Sequence, residues 1–309
     1  ATPMTFIVLG VVVLHTVGLG WGLPASDGWD NDGVAPRDFL PGLAETFDPG
    51  HFYTYPPVHL ALLAVLTLPL TLAGVARAPS TALGDIVDEL LSPGYMTSIA
   101  YVARVLSMTM SIGIVLLTAR IAEEMRAHEL GVAPDRTRVR SLVGDFTDER
   151  VRRVGWCTAA VIGLEATLTY YAHTTNLDVP YLFWGMLGLV ALSRAVARDE
   201  PRRLRLAFVF ATLAVGTKDQ AYALFGLSIP VVLALARPRL KEVAVAAAIA
   251  VLVFLVVDGV VFNPTGFRAR VAFLRGSASQ DFVEYTRDWS GRVALLVDAK
   301  KGIDDEVEA

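Results

Sequence analysis

Apolar positions along this chain fall in long blocks rather than in stripes. The runs at 4–23, 99–119, 154–173, 179–197 and 242–262 are each about as long as a helix must be to cross a bilayer. At 1.5 Å per residue, ~30 Å of hydrocarbon takes roughly twenty residues. The stretch 204–236 is too long for one crossing, and Gly216, Lys218 and Asp219 interrupt it. That pattern predicts a short helix up to Val215, a polar break, and a returning helix from about Ala221 to Ala236. Unpaired backbone at such a break is tolerated where it lines a protein cavity.

One further apolar run, 57–75, sets the topology. Counted as a crossing, it puts the strongly basic loops on alternating sides, against the rule that Lys and Arg stay in the cytoplasm. Placed in the interface, or entering and leaving on one side, it leaves loops 120–153, 194–205 and 237–241 on a single face, with 8, 5 and 3 Lys or Arg. Those loops are expected to be cytoplasmic, and 120–153 is expected to be a solvated hairpin. The segments 23–98, 174–178 and 216–220 carry only Arg37, Arg77 and Lys218 and are expected to face outward. About seven transmembrane helices result, in a transmembrane module over 1–263, with an extracytoplasmic loop or truncated C-terminal segment over 264–309.

Composition agrees. With 54% hydrophobic and 19% charged residues, the chain is too apolar for an ordinary soluble domain, and an all-α integral membrane protein is expected. The first apolar run lacks a basic leader and reads as a retained anchor. The single Cys157 permits neither an intrachain disulfide nor a cysteine metal site and is expected to pack as a small hydrophobe.

Candidate chemistry collects on the outward segments. After the first run comes Asp27-Gly28-Trp29-Asp30-Asn31-Asp32-Gly33, then Pro36-Arg37-Asp38. Clustered carboxylates act as a general base or hold a divalent cation, though the spacing is not that of an EF-hand and a polar loop cap is the plainer reading. Next is His51-Phe52-Tyr53-Thr54-Tyr55-Pro56-Pro57-Val58-His59, where two prolines end an extended segment and open a helix. Interfacial anchoring by the Tyr and His residues competes with a binding role there. At the end of the 154–173 run stands His173-Thr174-Thr175-Asn176-Leu177-Asp178-Val179-Pro180, a second outward acid. Lys218, alone in its break, suits a phosphate ligand or a side chain snorkelling to headgroups. Glu165 and Asp258 lie within or at the end of apolar runs, where ionisable groups are costly unless paired or wet. His15 is expected to be a hydrogen-bonded packing residue.

In this order the motifs resemble those of the GT-C membrane glycosyltransferases of the family 39 type, the protein O-mannosyltransferase and aminoarabinose-transferase branch. The matching elements are the acidic first loop Trp29 to Pro36, the Tyr55-Pro56-Pro57-Val58-His59 segment, Asn176 to Pro180, and Thr217-Lys218, over roughly residues 1–270. The resemblance implies a GT-C-type helical module that moves a sugar from a polyprenyl-phosphate donor to a lipid, glycan or protein acceptor, outside the plasma (inner) membrane. It implies Asp32 as catalytic base, with Asp30 as the alternative because Gly33 stands where the family shows Glu. Asp178 joins them in the catalytic set, to orient Lys218, share a metal with the first acids or hydrogen-bond the sugar, and Lys218, with His59 or Arg268, would take charge on the departing phosphate. Tyr55, His173 and Asn176 complete the expected substrate-binding set. No cofactor is required; a divalent cation, if bound, would sit at Asp30, Asp32 and Asp178. Nucleic acid is not an expected partner. Two other classes fit the pattern less well: a catalytically idle relative that binds lipid-linked sugars, and a transporter, whose internal repeat is not evident.

Overall fold

A computed structural model describes residues 3–24, 34–132, 146–197, 200, 202–275, 288–294 and 297. They form helices, with no strand among the described residues. Among the described residues, three helices are long and apolar enough to cross a membrane: α3 (Val58–Arg77), α5 (Pro93–Leu130) and α11 (Leu240–Val257). The others are α1 (Pro3–Thr16), α2 (Phe39–Phe47), α4 (Leu83–Leu90), α6 (Glu149–Gly163), α7 (Ala166–Ala172), α8 (Asp178–Ala197), α9 (Arg203–Val215), α10 (Ala221–Ala236) and α12 (Pro264–Arg275).

Several apolar runs are shorter as helices than as sequence. The 4–23 run stops being helical at Thr16, because Gly18 and Gly22 take positive φ of 91° and 72°. Glycine reaches that region without steric cost. The carbonyls of Leu19 and Trp21 in the unwound segment accept from the Arg104 guanidinium at 2.7 and 2.8 Å, so backbone freed by unwinding is satisfied from α5. The 154–173 run breaks at Leu164 into α6 and α7. Glu165 is the reason: its carboxylate caps α7, accepting from the amides of Thr167, at 3.0 Å, and Leu168. An acid in an apolar run has thus found backbone donors at a helix start. The 204–236 run splits at 216–220 as its polar residues predict.

α5 has 38 residues and is about 57 Å long at 1.5 Å per residue, well beyond the ~30 Å hydrocarbon thickness. Its final turns contradict the solvated hairpin expected for 120–153. Helix continues to Leu130, and Arg120, Glu123 and Glu124 are buried. Residues 133–145 of that hairpin lie outside the described residues. Cys157, expected to pack inside, is exposed on α6.

Two apolar cores share α8. Val179, Met186 and Val190 face a cluster with α1, α5 and α6, while Ala191 and Leu192 face α9, α10 and α11. Small residues bring the helices close, as is usual where lipid removes the hydrophobic drive between helices. A Cβ on Gly163 would lie 2.3 Å from Val11 Cγ2, and one on Gly185 2.5 Å from Leu224 Cδ2.

α3 packs on the first three turns of α5. Leu60 and Leu63 join Tyr95, Met96, Ile99 and Ala103, and the Thr71 and Tyr95 hydroxyls lie 2.9 Å apart. The start of α3 is tied elsewhere, with the Val58 amide donating to the Gly216 carbonyl at 2.8 Å. Val65, Leu66, Leu68, Leu72 and Val75 are exposed, leaving α3 with an uncovered apolar side.

Candidate functional site

The site is built where α8 starts and α9 stops. The Asn176 side chain accepts from the Asp178 amide at 2.8 Å, and Thr174 Oγ1 accepts from the Asn176 amide at 3.2 Å. These local bonds satisfy backbone that the helix start leaves open and fix Asp178 as the first helical residue. Across from it, α9 ends at Val215. The Gly216 amide donates to Thr212 O at 2.7 Å and the Lys218 amide to Ala214 O at 3.0 Å, while Thr217 Oγ1 donates to Leu213 O at 2.8 Å. Lys218 therefore sits on a tightly held turn. Its Nζ donates to Asp178 Oδ1 at 2.8 Å, with the two side chains 15% and 28% exposed. This is a positioned ammonium that solvent or a ligand still reaches.

A second ion pair lies beside the first. Asp219, the next residue, pairs with Arg270 of α12, which is buried. The Arg270 Nε also donates to Thr54 O at 3.3 Å, and its guanidinium lies 5.3 Å over the Tyr53 ring. Tyr53 donates to the Asp258 carbonyl at 2.7 Å, and burial, then the nearby Asp258 charge, pushes its hydroxyl pKa up to about 12. The Asp258 side chain is 1% exposed, and its Oδ1 has no hydrogen-bond partner among the described residues. Asn263 fastens this knot. Its side chain accepts from Gly50 N and Gly266 N, each at 2.9 Å, and donates to His51 O at 2.8 Å and Glu45 O at 3.2 Å. The approach is so close that a Cβ on Gly266 would fall 2.0 Å from the His51 carbonyl.

The residues singled out from sequence are placed as follows. Asp30 and Asp32 lie outside the described residues. The chain resumes at Val34, whose amide donates to Thr175 O at 3.4 Å and whose carbonyl accepts from Thr175 Oγ1 at 2.8 Å, three residues before Asp178. Tyr55 is half-buried against the core around Val34 and Phe39. His59 is buried in the first turn of α3, and neither ring nitrogen has a partner among the described residues. His173 Nε2 hydrogen-bonds the His15 carbonyl at 2.8 Å, and His15 itself bonds Ser111 at 2.7 Å and Thr169 at 3.2 Å. Both histidines thus tie α1 to its neighbours. Arg268 is exposed, whereas Arg270 carries the ion pair.

Asp178, Asn176 and Lys218 are brought together. Asp219 and Arg270 were passed over, and Tyr53 was read only within the His51–His59 segment: Asp219 was read only as part of a break, and Arg270 lies two residues from the arginine that was named. No group of three His, Cys, Asp or Glu side chains is placed to hold a metal among the described residues.

Next to the break, α9, α10 and α11 frame an open groove of about 480 Å³. Phe208, Ala211, Phe225, Ile229, Val251 and Phe254 line it, so it is apolar along its length. Val215, which also lines it, immediately precedes 216–220, and Tyr222, another lining residue, is the second residue after it. The groove thus reaches the flanks of the break that carries Lys218, which does not itself line it, an arrangement suited to an amphiphile with an anionic head. Comparison with known protein families, characterised proteins and solved structures finds no match for this chain.

Proposed function

We propose that this chain is a membrane glycosyltransferase of the GT-C type that moves a sugar from a polyprenyl-phosphate donor to an extracytoplasmic acceptor. The observation that carries the reading is the partly exposed Lys218–Asp178 pair on the break between α9 and α10, the two helices that with α11 form the apolar groove. A prenyl chain is apolar and flexible and fills such a groove. Its phosphate then lies where an ammonium neutralises it, and charge-assisted bonds to phosphate are among the stronger ones available.

In the reaction, an acceptor hydroxyl or amine attacks the anomeric carbon, the carbon–oxygen bond to phosphate breaks, and polyprenyl phosphate leaves with the electron pair. The displacement is single, so the anomeric centre inverts. Asp32, or Asp30, takes the acceptor proton. Lys218 stabilises negative charge growing on the phosphate, and Asp178 holds the ammonium in place before donor arrives. Asp32 is two residues from Val34, which is hydrogen-bonded to Thr175 beside the start of α8, and this supports bringing the base to the Asp178 side.

The seven-span reading counts α1, α5, α6 with α7, α8, α9, α10 and α11 as crossings and leaves α3 in the outer interface. Packing of α3 on only the first turns of α5 supports that arrangement. Binding of a photoreactive polyprenyl-phosphate sugar tests the groove. Wild type is expected to be labelled on α9–α11, and Ala250→Trp, which fills the groove, to lose most labelling. Equal labelling of both proteins would remove the groove from the account.

A further inference from the structure

At the other end of α8, a second cavity of about 390 Å³ lies among the end of α8, the start of α9, the α10–α11 turn and the start of α11. Ala195, Leu204, Val232 and Ala236 form its apolar wall, and Arg237, Arg239 and Glu242 its polar rim. From the built features of this cavity we infer that it binds the phosphate of an anionic phospholipid headgroup.

Three observations converge. Arg237 and Arg239 stand exposed on the rim of this partly open cavity and pair with no carboxylate among the described residues. Glu242, the acid on the rim, is already engaged by Arg205 at 2.8 Å, so it does not neutralise them. Second, Arg237 adopts a left-handed conformation, φ 42° and ψ 52°, which is uncommon for a residue with a Cβ and is retained where the surroundings impose it. Its amide closes α10 by donating to Leu233 O at 3.0 Å. Third, the cavity meets the start of α11. The Arg239 carbonyl takes the amides of Glu242 and Val243, while those of Leu240 and Lys241 remain open in the first turn. A helix start carries partial positive charge and favours an anion, and α11 has 18 residues behind it.

The wall determines the source of the phosphate. Val232 and Ala236 belong to α10, whose neighbouring Val231 and Leu235 are exposed apolar residues. A lipid in the surrounding leaflet can therefore lay its acyl chains along α10 while its phosphate enters between Arg237 and Arg239. A soluble phosphate gains only the polar half.

The test uses the full chain purified in detergent. Thermal unfolding is followed with added phosphatidylglycerol, with phosphatidylcholine, and with inorganic phosphate, in wild type, Arg237→Gln/Arg239→Gln and Lys241→Gln. Lys241 is an exposed charge on the same turn that does not line the cavity, so Lys241→Gln controls for loop charge. The expected result is protection by phosphatidylglycerol beyond that by phosphatidylcholine, abolished in the double variant and kept in Lys241→Gln. Equal melting of the double variant and wild type in phosphatidylcholine shows that the variant folds. Protection by inorganic phosphate to the same extent would assign the cavity to a soluble phosphate and overturn the lipid source. Protection that survives in the double variant, or falls as much in Lys241→Gln, would overturn the site itself.

Discussion

The bundle carries charged residues at both ends of α8, about 24 Å apart at 1.5 Å per residue, and handles them in opposite ways. Arg120, Glu123 and Glu124 of α5 are 1–3% exposed. Glu124 joins Arg120, at 3.0 Å, to Arg194 of α8, at 3.3 Å, and Arg120 also covers the Phe146 ring. A Cβ on Gly155 would lie 2.5 Å from the Glu123 carboxylate, so α6 closes over the group. The Lys218–Asp178 pair remains partly open and stands on a helix break, and the next residue, Asp219, pairs with Arg270. Burial with complete pairing marks a clamp between helices. Partial exposure with spare polar capacity marks a place for a ligand.

The contrast can be broken from either side. The largest effect is expected from Glu124→Leu, which takes from Arg120 and Arg194 the carboxylate they share. Loss of one partner from such a network costs about 3–5 kcal/mol, measurable by chemical unfolding in detergent. Lys218→Met is expected to lower transfer roughly a hundred- to a thousandfold, as removal of a charge-stabilising donor does. The same variant should change stability by less than about 1 kcal/mol, since the pair is partly exposed. If Lys218→Met unfolds as readily as Glu124→Leu, the two ends do not differ in kind. Glu165→Ala, which removes only the α7 cap, is expected to cost about 1 kcal/mol in the same unfolding measurement and to leave donor binding intact.

Much of the helix pattern was legible in the apolar runs, because length and hydropathy are properties of single segments. The break at 216–220 was legible for the same reason, since Gly216, Lys218 and Asp219 are neighbours in sequence. The break at Glu165 was not. Whether an acid caps a helix or pairs across the bundle depends on which backbone amides it meets. Arg120, Glu123 and Glu124 were read as part of a solvated hairpin, because three charges in five residues look hydrated until α8 and α6 are packed on them. At the candidate site, Asp178 and Lys218 were found as isolated polar residues on outward segments. Arg270 was missed, because the choice between it and Arg268 is a choice of helix face, fixed by how Asn263 turns α12 back onto Gly50 and His51.

The central claim is that an acid of the first loop activates an acceptor against a polyprenyl-phosphate donor bound at Lys218. The most direct measurement is release of free polyprenyl phosphate and labelled product in membranes carrying wild type, Asp32→Asn or Asp30→Asn. Turnover by wild type is expected, with its loss in one of the two variants by roughly a hundredfold or more while the donor still binds. Turnover unchanged in both variants, or donor binding with no turnover by any of the three, would contradict it and leave a lipid-binding role as the reading of the Lys218 end.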